Sequence, residues 1–515
     1  MRLAPLAVLL ALGASTMSAC MMGPDFRSPD PPRTGSYLAE DQPAELAAAS
    51  IPGGEAQQIV QGLDIPGQWW AVFRSQPLDN LIQRALIANP DIHAAAAGLR
   101  AAQFTARAQR ATLFPTVQAG VTASQNQVSN VLSPPTVNPD VFIYSLFTMG
   151  FTISYTLDLF GANRRAIESL EALAEAQCFQ LEAAYLSLAS NVVAAAIQEA
   201  SLRAQIEATQ RIIAAQRETL DILRRQEGLG AVTGADVAQQ EAALAQAEAT
   251  LPPLQKALAQ GRNLLATLSG RLPSVRGAEY FELSDLVLPP DLPLSLPSRL
   301  VEQRPDIRAA EATLHSASAQ VGVAIANQFP QITLNAGFTP TSIVFDQLFL
   351  PGQLTSAAGA SVMQTIIDGG ALAAKKRAAQ AALEQAGAQY RSTLLTAFRN
   401  VADTLRALEY DAIALQANVA AERAAATSFT IARRRLELGD TTYVVVLVAE
   451  LTYQQALLAR IQAQANRFTD TAALFQALGG GWWNRDGASA VEPARRATCK
   501  PPRPAAGPPA TAALR

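Results

Sequence analysis

Pro90-Asp91-Ile92 recurs as Pro305-Asp306-Ile307, and Phe114-Pro115 recurs as Phe329-Pro330, both at a spacing of 215 residues. Further on, Gly161 answers Gly370 and Gly230 answers Gly439, now 209 apart. A unit of about two hundred residues is therefore written twice, far longer than the repeats of solenoids. Each copy carries the same succession of patterns: a helix, two strands, a very long helix, a tip and a long returning helix.

Residues 78–113 read as a helix with a local break at Asn89-Pro90, because proline lacks the N–H a helix interior needs. After each Phe-Pro the periodicity switches from helical to alternating. Val117, Ala119 and Val121 alternate with Gln118, Gly120 and Thr122. Beyond the Pro-rich stretch Gln125 to Asp140, Phe151, Ile153, Tyr155 and Leu157 alternate with Thr152, Ser154 and Thr156. In copy two, Ile332, Leu334, Ala336 and Phe338 alternate with Thr333, Asn335, Gly337 and Thr339, and a fainter return strand is expected near Ala360 to Ile366. Two-faced strands of roughly 9 to 11 residues are long enough to cross a bilayer at a tilt. The alternative, a pair of soluble hairpins with one buried face, lacks the remainder of a β-sandwich anywhere in the chain.

From Ala162 to Glu227 there are 66 residues without Pro or Gly, a rod of roughly 100 Å as a helix. Its counterpart, Ala371 to Leu438, has Gly387 as its one glycine. On the first returning helix Val237, Leu244, Leu251, Leu258 and Leu265 fall seven apart; on the second, Leu447, Leu451, Leu458, Ile461, Ala465, Phe468, Ala472 and Phe475 keep a 4–3 rhythm. The first outgoing helix shows Leu202, Ile206, Ile213, Leu220 and Leu223 with Thr209 and Gln216 in the same seam. Each hairpin is thus expected to be an antiparallel coiled coil. Pro252-Pro253 should kink or break the first returning helix.

The chain has 515 residues, 49% hydrophobic and only 16% charged, a mixture suited to long helices packed along small residues. A net charge of −3 with no basic stripe or stacking platform excludes nucleic acid as a partner. The two histidines, His93 and His315, read as incidental helix residues. No H-E-x-x-H, phosphate loop or nucleophile elbow occurs, so neither catalysis nor a metal site is expected.

Arg2, the apolar run Leu3 to Leu12 and Met17-Ser18-Ala19-Cys20 form a secretory signal over 1–19 that ends in a lipobox. Cleavage would leave Cys20 carrying diacylglycerol, the one covalent addition expected and no cofactor besides; Met17 stands where Leu is usual. Met21, rather than Asp, suits retention in the outer membrane. No run of about 20 unbroken apolar residues follows, so no transmembrane helix is expected. Cys178 and Cys499 read as unpaired. The organisation is then a lipidated extended segment 20–77, repeat one 78–270, a Pro-rich linker 271–298, repeat two 299–483 and a disordered tail 484–515.

Four strands cannot enclose water, and an open sheet edge is not viable in lipid. Other copies must complete the wall; three chains would supply twelve strands, between packed eight-stranded barrels and large porins. The expected fold is mainly α with transmembrane β: a trimeric channel-tunnel whose barrel is continued by a long helical barrel of coiled-coil hairpins.

Cys20-Met21-Met22-Gly23-Pro24-Asp25-Phe26, Trp69-Trp70 with Phe73, Asn89-Pro90-Asp91-Ile92, Asp158-Leu159-Phe160-Gly161 and Arg304-Pro305-Asp306-Ile307 resemble signatures of the TolC/OprM-type outer-membrane efflux proteins. The lipidated start resembles the branch serving RND-type drug pumps. The resemblance implies a homotrimer in outer-membrane lipid that accepts cargo from an inner-membrane proton-driven pump through a periplasmic adaptor. It also implies that the two tips, with Gly230, Thr233 and Gly234 in one and Gly439, Thr441 and Thr442 in the other, face the adaptor. Where the family carries acids that narrow the pore, this chain has Val445 and Val448; Asp236 and Asp440 are the acids it keeps nearby. A hydrophobic constriction of Tyr443, Val444, Val445 and Val448 is the expected gate. Two other readings are a lipidated periplasmic adaptor, which should have one hairpin and soluble β-domains, and an outer-membrane channel of type I protein secretion.

Overall fold

The computed structural model describes residues 21–40, 42–129, 141–275 and 280–485. Cys20, Cys499, the signal 1–19 and nearly all of the tail 484–515 lie outside the described residues. The duplication appears as matched elements. Copy one runs α1 (Gln76–Ala88), α2 (Pro90–Arg110), β2 (Thr116–Ser129), β3 (Val141–Leu157), α3 (Ala162–Gly228) and α4 (Gly234–Leu268). Copy two runs α5 (Pro297–Gln303), α6 (Pro305–Ala326), β5 (Gln331–Ser342), β6 (Leu354–Met363), α7 (Ala371–Glu437) and α8 (Tyr443–Ala477). A short β1 (Gln58–Gln61) pairs in parallel with β4 (Asp291–Leu294). The long helices of the two copies have 67 residues each and the returning helices 35 each.

The chain divides into two compact units. The first combines Arg100–Ala176 and Ala310–Tyr390 with the N-terminal stretch through Ser28. It holds one antiparallel sheet in the order β2-β3-β5-β6. Alternation along each strand meets the register so that like meets like. One row across the sheet reads Val117, Ile153, Ala336, Ala358; the next reads Gln118, Thr152, Gly337, Ala357. The return strand lies at Leu354–Met363, not at Ala360 to Ile366 as expected. Its Ser-Ala-Gly composition carries little alternation, and as an edge strand it is exposed along its full length. Pairing with β5 sets its position instead.

The second unit holds most of both hairpins. The outgoing seam is buried at Leu202, Thr209, Ile213, Gln216, Leu220 and Leu223; the returning seam is buried at Val237 and Leu265. In copy two, Leu447, Ile461, Ala465, Phe468, Ala472 and Phe475 are buried. α4 does not break at Pro252-Pro253 but runs through them. Ion pairs join α4 to α3 on either side of the two prolines, Arg217–Glu248 at 2.6 Å before and Arg262–Glu199 at 3.3 Å after. Trp69 stacks on Phe475 with ring centroids 5.6 Å apart, and Phe73 is fully buried near Phe468.

The repeat also conserves a bond while changing the residue that makes it. Asn89 caps α2 and its Nδ2 donates to Leu268 O (3.0 Å). At the equivalent position Arg304 donates through Nη1 to Ala477 O (2.9 Å). Stretches of α3 and α8 are long and apolar enough to cross a membrane by length and composition alone. In α3 most of that stretch is buried, and both helices return against partners in hairpins. Cys178 is disulfide-bonded, contrary to the expectation that it is unpaired. An oxidising compartment permits such a bond.

Candidate functional site

The sheet of the first unit is amphipathic without a protein layer over its apolar face. Val121 is 70% exposed and Phe151 57% exposed, with Val117 and Phe338 also open. The other face is Thr, Ser, Asn, Gln and Gly, tied locally by Thr156 Oγ1 and Thr333 Oγ1 at 3.3 Å. Among the described residues neither edge, β2 or β6, has a further partner strand. They run antiparallel to each other, so the β6 of one copy and the β2 of another can continue the same ladder.

At the base of this sheet a clamp holds the stretch that follows Cys20. Met22 N–H donates to Phe160 O (3.2 Å). Arg165, 2% exposed at its side chain, donates from Nε to Met22 O (3.1 Å) and from Nη2 to Asp25 Oδ1 (2.7 Å), and pairs with Glu168 (2.7 Å). Gly23, at φ 93°, lies against the Gly322 backbone, where any side chain would collide. Phe26 stacks on His315 with centroids 4.4 Å apart, and His315 Nε2 lies 2.9 Å from Glu168 Oε1. His315 is therefore a member of the clamp rather than an incidental helix residue. The sequence signal for it is Asp25-Phe26 shortly after the lipobox; Arg165 and Glu168 gave none.

In the second unit the two tips share one backbone solution. Gly230 (φ 73°) and Gly439 (φ 74°) take the left-handed conformation. Ala231 N–H donates to Gln226 O (2.9 Å) and Asp440 N–H to Arg435 O (2.9 Å), closing a Schellman motif at each outgoing helix. Their restarts differ. Thr233 caps α4 in a full capping box with Asp236, whose Oδ2 accepts from Thr233 N–H (3.0 Å) and Thr233 Oγ1 (2.7 Å). Those bonds, the hydroxyl's first, hold the Asp236 carboxyl below its usual range. Gly234 follows as the first residue of α4. Thr442 caps α8 without a side-chain bond, and Val445, where Asp236 stands in copy one, has no carboxylate to reach back to it. Asp440 is ion-paired with Arg435 at 2.9 Å.

The four residues expected to form the constriction do not act together. Tyr443 is 7% exposed and packs with Leu220, Leu223, Val237, Ala243 and Leu447 between the two hairpins. Its hydroxyl donates to Gln240 Oε1, and Gln240 Nε2 donates to Gln216 O (2.9 Å). Burial, with the nearby Glu450, pushes the phenol up, so it remains a donor. Glu450 is itself buried, accepts from Gln454 Nε2 (3.1 Å), and is raised by burial. Val444, Val445 and Val448 stay open, Val448 at 58%. Gln240 and Glu450 were missed in the sequence; a polar seam residue such as Gln216 is the signal that points to them.

The family model described as outer membrane efflux protein matches residues 81–271 and again 296–480, one match for each repeat. The chain belongs to the outer membrane efflux protein family. It is 30% identical over 482 residues to the toluene efflux pump outer membrane protein TtgC of Pseudomonas putida, covering 93% of this chain and 96% of that one. The pyoverdine export outer membrane protein OpmQ of Pseudomonas aeruginosa is 29% identical over 474 residues, covering 91% and 96%. Among solved structures, the outer-membrane channel OprN superposes with a TM-score of 0.80 at 28% identity, over 90% of this chain and all of that one. VceC of Vibrio cholerae gives 0.75 at 28% identity, over 81% and 100%. The fold is the family's trimeric channel-tunnel, and the protein is an outer-membrane efflux channel. The family is one of transport rather than catalysis. Neither the adaptor reading nor the protein-secretion reading gains support from these relatives.

Proposed function

We propose that the chain is the passive outer-membrane conduit of a tripartite, RND-type efflux pump, opened at its hairpin tips by a periplasmic adaptor. The observation that carries this is the open-edged sheet with one apolar and one polar face: closed by three copies, it turns its polar rows to water and its apolar rows to lipid. Small organic molecules are the cargo class that fits relatives named for toluene efflux and pyoverdine export. An inner-membrane proton-driven pump supplies the energy, since a channel does no work of its own. Cys20 carries the lipid, and the clamp on Met22 to Phe26 holds the anchored stretch at the base of the sheet.

The adaptor meets the exposed tips at Gly230, Thr233, Gly234, Gly439, Thr441 and Thr442. Val444, Val445 and Val448, threefold repeated, narrow the resting pore, and adaptor binding favours splayed tips over closed ones. Cysteine introduced at Ala231 or Thr441 and treated with a bifunctional reagent in whole cells should capture a periplasmic adaptor. Capture of nothing but sister copies would refute the adaptor-facing assignment. Val445→Ala should raise resting single-channel conductance; an unchanged value removes the valine constriction. Labelled palmitate should enter the protein and be lost in Cys20→Ala.

A further inference from the structure

The connection between β5 and β6 should be polar if it meets only water, yet it carries a run of large apolar side chains. Ile343, Val344, Phe345, Phe349, Leu350 and Leu354 are all large and open, Phe349 at 66%. Asp346 is its single ionisable residue between Thr341 and Gln353. The loop is not slack. Thr341 N–H donates to Gln353 O (3.1 Å), and Phe345–Phe349 form a 3-10 turn that buries Leu348. Its direction is set by Phe345, which meets Phe147 edge-on with centroids 5.6 Å apart.

Phe147 belongs to the apolar rows of β3, in line with Phe151 and Ile153, and opposite in face to Thr148 and Thr152. The turn therefore extends the lipid-facing side and not the water-facing side. It lies at the end of the sheet away from α2, α3, α6 and α7, which all join at the strand ends Thr116, Leu157, Gln331 and Met363. We propose that this turn is a membrane-interface anchor, with Phe345, Phe349 and Leu350 seated among the acyl chains and headgroups around the barrel rim. Aromatic side chains at such a rim hold a barrel at a fixed depth. The proposal rests on the outer-membrane channel reading, and adds that this connection leaves the pore mouth uncovered.

The test uses the full-length protein in phosphatidylcholine–phosphatidylglycerol vesicles whose acyl chains are brominated near the headgroup. Phe349→Trp adds one tryptophan to the native four, whose emission is subtracted using the parent protein. The added emission should fall at least twofold in brominated lipid and resist aqueous iodide. Quenching by iodide and not by bromine would overturn the anchor, as would quenching by neither, which marks burial against another copy. Val121→Trp, on the strand face, separates the two readings. If it is quenched while Phe349→Trp is not, only the anchor fails; if neither is quenched, the membrane sheet itself is wrong. Phe345→Asn with Phe349→Asn should leave single-channel conductance within twofold of the parent, and a severalfold rise would instead identify a plug over the mouth.

Discussion

Tyr443 and Gln240 come from different copies of the repeat, so their bond ties one hairpin tip to the other within a chain. Tyr443→Phe keeps the ring in its apolar pocket and leaves a buried Gln240 oxygen without its donor, a loss of about 1–3 kcal/mol. The expected result is faster amide exchange at the start of α8 and a higher resting conductance; unchanged exchange would mean the bond does not restrain the tip. A second residue couples this hairpin to pH. Asp470 on α8, half-buried beside Asp411 on α7, is pushed up to about 7, first by burial and then by its neighbour's carboxyl. Its unfolded value is about 3.9, so the folded state holds more protons between the two values. Stability is then full below about pH 4, falls as pH rises to about 7, and is level above. Asp470→Asn should melt closer to the parent at pH 4 and increasingly above it toward pH 7; a pH-independent difference would dismiss the pair. Gln216 announced itself as a polar residue in an apolar seam. Asp411 and Asp470 did not, because they lie 59 residues apart on helices whose relative register only packing decides.

At the level of elements, the hairpin helices of the two copies match in length and differ in how the returning helices start. α4 begins with a capping box and α8 with a Thr442 that has the same extended backbone as Thr233 but makes no side-chain bond. Val445→Asp should complete it, adding about 1 kcal/mol and slowing exchange of the first-turn amides of α8 about fivefold at that energy. Because the carboxylate would be taken up by Thr442, as Asp236 is by Thr233, cation selectivity should stay near that of the parent. A strongly cation-selective pore would show that the new acids stay free in the constriction rather than capping α8. Long rods, tips and two-faced strands were legible because each follows a period in the side chains. The return strand was misplaced because Leu354–Met363 is too small and uniform to carry a period. The prolines announced a kink or a break, and of these the break does not occur, since α4 continues as a helix through both.

For the molecule as a whole, duplication supplies four strands, and the register sorts them into a water face and a lipid face. Adjacent residues of β3 should therefore answer the same substitution in opposite ways. Thr152 pairs with Gln118 and Gly337 on the polar face; Phe151 pairs with Ala119 and Phe338 on the apolar one. Thr152→Lys places one ammonium per chain against water, so trimers should assemble and reach the membrane as the parent does. Their pores should turn toward anions, because the three charges of a trimer share one lumen. Phe151→Lys places the same group against acyl chains, at roughly 2–4 kcal/mol per lysine near the bilayer midplane, and closure multiplies that cost by three. Its product should accumulate outside the membrane fraction or in thinner, less heat-stable trimers. Reversal potentials and fractionation of the two variants side by side decide the matter. If Phe151→Lys inserts normally and alters selectivity while Thr152→Lys does not, the two faces are assigned the wrong way round. Equal and mild effects in both would mean that the sheet does not stand between water and lipid at all.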